Sequence, residues 1–144
     1  MIDPTKSRVQ ATRHGKKILV VDDNPDAAEL VSQLLVRQGH DVRSAHRPSE
    51  AIVLAAEFQP DIAFIDIELP VMDGFELMAR LRALPELRDC RFIAISGYDD
   101  ADDRKRSRRL GFEAHLIKPI SMETLEQLVL GASAPSRQRP TASL

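Results

Sequence analysis

Polar and apolar positions along this chain follow two rhythms. KILVV (17–21), DIAFI (61–65) and FIAI (92–95) are continuous apolar runs, as expected of strands buried on both faces, while DVRSA (41–45) and EAHLI (113–117) are shorter and more mixed. Between them apolar residues recur at helical spacing. Asn24 is a good N-cap with Pro25 at the first helical position, and Ala27, Ala28, Leu30, Val31, Leu34 and Leu35 form a stripe that ends at Gly39. A second helix is expected over 48–58, burying Ala51, Ile52, Leu54 and Ala55, and a third after Asp73 and Gly74, carrying Phe75, Leu77, Met78 and Leu81. A polar helix follows over 100–110, and a last one over 122–130 with Ser121 as its cap. Strands and helices thus alternate five times, which predicts an α/β fold with a doubly wound parallel sheet, helices on both faces and right-handed crossovers.

The ends of the chain differ from its middle. Residues 1–15 are polar and aperiodic, and 131–144 (GASAPSRQRPTASL) have no apolar face, so both are expected to be tails around one folded unit at 16–130. The 144 residues suffice for one domain, and 43% hydrophobic with 29% charged residues is ordinary for a globular protein. No apolar stretch approaches a bilayer span and no signal-peptide core is present, so the chain itself is not expected to enter a membrane. A formal charge of −2 offers no general attraction to nucleic acid. Cys90 is the only cysteine; it precludes an intrachain disulfide, fits a cytoplasmic setting and reads as a small buried hydrophobe.

The strand ends carry the chemistry. KILVVDD stops at Asp22 and Asp23, DIAFID at Asp66 and AHLIK at Lys118, so parallel strands would bring three acids and one amine to the carboxyl edge of the sheet, where ligands of open α/β sheets bind. Such a carboxylate cluster needs a counter-charge. A divalent ion plus Lys118 would supply it, and the set suits transfer of a phosphoryl group onto a carboxylate: Asp66 as nucleophile, Asp22 and Asp23 holding Mg²⁺, Lys118 and the Ser96 hydroxyl meeting phosphoryl oxygens.

VVDDN at Asp22 and Asp23, DIELPVMDGFEL from Asp66 through Pro70 and Gly74, SGY at Ser96 and LIKPI at Lys118 together resemble the receiver domain of two-component response regulators, over Lys16 to Leu130. The resemblance implies a flavodoxin-like (βα)5 fold of strand order 2-1-3-4-5. It assigns phosphorylation to Asp66 and metal coordination to Asp23 and Asp66 directly, to Asp22 through water and to the backbone carbonyl of Glu68. Mg²⁺ is the implied ion, with Mn²⁺ as a substitute. Ser96 becomes the switch hydroxyl, Lys118 the ion-pair partner, and the Lys118–Pro119 bond cis. The implied donor is a sensor histidine kinase or histidine phosphotransfer protein, and the chain is expected to catalyse only its own phosphorylation and dephosphorylation, whether it stands alone or is part of a hybrid kinase.

Two positions depart from that pattern. His115 stands where the family's switch aromatic, Tyr or Phe, usually lies; it can swap rotamers but titrates, and the plainer reading is an exposed sheet-edge histidine without a switching role. Glu68 adds a carboxylate at the mouth of the site, where it is expected to alter how fast water reaches a phosphoryl group. In DDADDRKRSRRLG, Asp99, Asp100, Asp102 and Asp103 precede Arg104, Lys105, Arg106, Arg108 and Arg109, which complements a helix dipole and reads as a solvated face rather than a nucleic-acid patch. The resemblance also makes the fourth helix, fifth strand and fifth helix a surface for partners or a homodimer. The alternatives are a small phosphatase forming an aspartyl phosphate, with Glu68 as general acid, and a flavin carrier, disfavoured by the Asp-Asp turn and the lack of stacking aromatics.

Overall fold

The structure is a computed structural model and describes residues 15–131. The segments expected to be tails lie, but for Gly15 and Gly131, outside the described residues. Five strands, β1 (Lys17–Val21), β2 (Asp41–Ala45), β3 (Ile62–Asp66), β4 (Arg91–Ser96) and β5 (Ala114–Ile117), alternate with helices α1 (Pro25–Arg37), α2 (Pro48–Phe58), α3 (Gly74–Arg82), α4 (Ala101–Leu110) and α5 (Met122–Gly131). All strand pairs are parallel, in the order β2-β1-β3-β4-β5. This is the flavodoxin-like order 2-1-3-4-5.

Strand alternation divides the core in two. Ile18, Val20, Ile62, Phe64, Ile93 and Ile95 pack with Ala28 and Leu35 of α1 and Leu125, Leu128 and Val129 of α5. Leu19, Val21, Ala63, Ile65, Phe92 and Ala94 face Ala51 and Ala55 of α2 and Phe75, Leu77, Met78 and Leu81 of α3. The three central strands are therefore apolar on both faces, which is why they read as unbroken runs.

The helix ends follow local chemistry. Asn24 accepts from the Asp26 and Ala27 amides, Asp73 from Glu76 and Asp100 from Asp103, each satisfying an otherwise orphaned donor. Ser121 accepts the Thr124 amide in the same way. The apolar stripe of α1 is buried unevenly: Ala28 and Leu35 are buried and Val31 and Leu34 partly so, whereas Leu30 is 56% exposed. Two turns cannot present six apolar positions to one sheet face, so the outermost faces solvent.

Candidate functional site

The carboxyl edge of the sheet collects the predicted groups. Asp22 follows β1 and Asp66 ends β3; both are buried, at 4% and 2% exposure, whereas Asp23 is exposed. Carboxylate oxygens of the three lie within 4.8 Å of one another. Lys118, beyond β5, reaches across with its Nζ 2.9 Å from Asp22 Oδ2 and 3.1 Å from Asp66 Oδ2. Its amide donates to the Ser96 carbonyl at 2.9 Å, which extends the β4–β5 ladder to the site, and the Lys118–Pro119 peptide bond is cis.

Backbone donors hold the acids in place. The Asn24 amide donates to Asp22 Oδ1 at 3.0 Å and the Glu68 amide to Asp66 Oδ1 at 2.8 Å. Behind Asp66, α3 begins so close to the strand that a Cβ on Gly74 would stand 2.5 Å from Ile67 Cα and 2.6 Å from the Asp66 carbonyl oxygen. Only glycine lets the helix start there. Ser96, fully buried, accepts the Tyr98 amide at 3.0 Å and lies 3.0 Å from Glu68 Oε2.

Charge and burial set the electrostatics. Burial pushes the Asp66 carboxyl up to about 6; the Glu68 amide opposes that shift, the Asp22 charge adds to it and Lys118 opposes it. For Lys118, burial works against the charged form, but the hydrogen bond to Asp22 and the charges of Asp66 and Asp22 win and raise its pKa. Three carboxylates against one ammonium leave an excess of negative charge, and hard oxygen donors at this spacing fit a divalent cation such as Mg²⁺. The same groups can present Asp66 as a nucleophile while neutralising what it accepts.

His115 is not the exposed histidine of the plainer reading. It is half-buried on β5, its Nδ1 lies 2.9 Å from the Oγ of buried Ser107 on α4, and its Nε2 is buried with no partner among the described residues. Burial, opposed by Asp103, lowers its pKa. Cys90 is half-buried, and burial, with Asp61, pushes its thiol up to about 12, which keeps it unreactive. One site neighbour escaped sequence reasoning: His46 Nδ1 lies 3.1 Å from the Asp22 carbonyl oxygen, so that nitrogen donates and braces the acidic turn. No local motif announces a contact made across 24 residues.

The family model for the response regulator receiver domain matches residues 18–130. The chain belongs to the response regulator receiver family. This receiver is 38% identical over 112 residues to an uncharacterised 14.6 kDa protein of Leptolyngbya boryana, covering 78% of this chain and 86% of that protein. It is 34% identical over 107 residues to the polar-differentiation response regulator DivK of Brucella anthropi, covering 74% and 87%. Among solved structures it resembles a response regulator from Burkholderia pseudomallei with a phosphorylated aspartic acid, calcium ion and citrate, at TM-score 0.76 and 29% identity over 88% of this chain and 73% of that one. A receiver domain of a Pseudomonas aeruginosa sensor histidine kinase, with magnesium coordinated in the active site cleft, gives 0.72 and 27% over 80% and 94%. This receiver is thus a two-component signalling module, and no helix among the described residues is long and apolar enough to cross a membrane.

Proposed function

We propose that this receiver takes a phosphoryl group onto Asp66 from a sensor histidine kinase or a histidine phosphotransfer protein, and that the modified surface changes partner binding. The observation that carries the proposal is the buried Asp66 carboxylate, bonded by Lys118 at 3.1 Å and within 4.8 Å of the Asp22 and Asp23 oxygens. An Asp66 oxygen attacks phosphorus, the bond from phosphorus to the donor imidazole nitrogen breaks, and that nitrogen recovers a proton. Mg²⁺, or Mn²⁺ in its place, would supply charge neutralisation at this carboxylate cluster when bound. Asp23 and Asp66 would hold the ion directly, Asp22 through water, and Glu68 through its backbone carbonyl. Lys118 then bonds one phosphoryl oxygen and the Ser96 hydroxyl another, so the phosphorylated state pulls on the loop after β4.

The acidic cluster, together with the resemblance of this chain to receivers that hold magnesium or calcium, supports a divalent ion, while the choice of Mg²⁺ is part of the proposal. Intact-protein mass after incubation with acetyl phosphate tests it. One phosphoryl adduct that requires both Mg²⁺ and Asp66, and is absent from Asp66→Ala, is expected; an adduct that survives that substitution overturns the assignment. The proposed partner surface, α4 with β5 and α5, extends to a homodimer. Reversing Arg108 and Arg109 to Glu is expected to abolish phosphorylation-dependent association in analytical ultracentrifugation, and unchanged association removes the idea.

A further inference from the structure

Glu68 does not hang free at the mouth of the site. Its Oε2 lies 3.0 Å from Ser96 Oγ, and its Oε1 accepts the Gly97 amide at 3.2 Å. Its backbone amide meanwhile bonds Asp66 Oδ1 at 2.8 Å, which ties the carboxylate to the acceptor it overlooks. Ser96 has one hydroxyl proton, and that proton is contested: the Tyr98 carbonyl lies 2.9 Å from the same oxygen. The Gly97 amide is therefore already matched to an anion, and the Ser96 hydroxyl is shared between that anion and the Tyr98 carbonyl.

We propose that the Glu68 side chain is a built-in competing anion, occupying the Ser96 hydroxyl and Gly97 amide that the phosphoryl group would use, so that switching is the exchange of a carboxylate for a phosphoryl. The inference rests on the phosphoacceptor reading of Asp66. A phosphoryl group on Asp66 repels the neighbouring carboxylate and offers more acceptor oxygens to the same donors. Glu68 is exposed, so its side chain can leave into water without breaking the core. In the resting protein it holds Gly97, and with it the start of the segment leading into α4, against β3. The charge near His115 changes at the same moment, because Glu68 is one of the charges that acts on that ring.

The test measures beryllofluoride, a phosphoryl analogue, titrated at saturating Mg²⁺ against the full chain, Glu68→Ala, Glu68→Gln and Asp66→Ala, followed by amide NMR. Saturating metal separates loss of the competitor from any change in ion affinity, and the substitutions leave the Glu68 carbonyl in place. Glu68→Ala is expected to bind on the order of tenfold more tightly, the effect of about one charge-assisted hydrogen bond, with Glu68→Gln between. The Gly97 amide proton of unliganded Glu68→Ala is expected to shift upfield as its acceptor is lost. Equal or weaker binding by Glu68→Ala, or an unmoved Gly97 amide, overturns the proposal while leaving Asp66 as acceptor. Binding that persists in Asp66→Ala, or none in any protein, instead defeats the phosphoacceptor reading and this inference with it.

Discussion

Strand β3, which ends at the site, and helix α4, which follows the loop after Ser96, are built on opposite terms. All five residues of β3 are buried, apolar up to Asp66, and paired with β1 on one side and β4 on the other. Helix α4 buries only Ser107 and otherwise carries acids in its first turn and Arg104, Lys105, Arg106, Arg108 and Arg109 behind them. Among the described residues its side-chain attachments are few: Ser107 to His115, Arg106 stacked 4.2 Å from the Phe75 ring centroid, and an ion pair of Arg104 with Asp99. Asp66, the proposed acceptor, therefore sits on the part of the molecule hardest to move, and the element beyond Ser96 is among the easiest. Energies of one or two hydrogen bonds suffice to shift an element like α4, whereas displacing β3 would undo the core.

That contrast can be broken at its rigid end first. Phe64→Ala removes a fully buried ring from the centre of β3 and is expected to cost about 3–5 kcal/mol in urea unfolding. A cost under about 1 kcal/mol would mean that β3 is no more essential than α4. Gly74→Ala drives a methyl into Ile67 and the Asp66 carbonyl, with an expected loss of about 1–3 kcal/mol and slower phosphorylation by acetyl phosphate, since Asp66 must shift. Ser107→Ala should cost only about 1 kcal/mol, because it deletes one hydrogen bond. Hydrogen exchange should accelerate in α4 and remain unchanged in β3; uniform acceleration would show that the two elements open together.

The smallest expected effect is a pH dependence far from the site. His40 Nδ1 accepts the Lys16 amide at 3.0 Å, and burial, reinforced by the Lys16 charge, lowers its pKa from 6.5. The unfolded chain then takes the proton first, so this contribution is full above pH 6.5 and is lost as pH falls through the lowered folded value. Asp66 has the opposite sign without metal: raised from 3.8 to about 6, it favours folding below 3.8 and loses that advantage as pH rises through about 6. Urea midpoints of the wild type minus those of His40→Gln, taken across pH in EDTA, isolate the histidine. A difference that does not shrink on acidification would contradict the assignment.

Much of this architecture was written in local pattern. Unbroken apolar runs marked the central strands because both faces of each are covered, and Asn24, Asp73, Asp100 and Ser121 marked helix starts because capping is satisfied within three residues. The ordered acids and lysine at strand ends announced the site, since parallel strands bring every such end to one edge. Contacts between distant segments left no such mark. Arg91 bonds both oxygens of Glu113 at 2.8 Å and the Leu128 carbonyl at 2.6 Å, tying β4 to the end of α5, and nothing around Arg91 foretold it.

Chain order alone thus determined which residues form strands and helices, and which chemical groups stand at the strand ends, because these depend on periodicity and neighbours. Tertiary structure decided the rest: that Leu30 faces water, that His115 is bonded to Ser107, that Lys118 bridges two acids, and that Glu68 holds Ser96 and Gly97. The physical reason is that side-chain partners are chosen by distance in space, and packing on the sheet sets that distance only after the elements have formed.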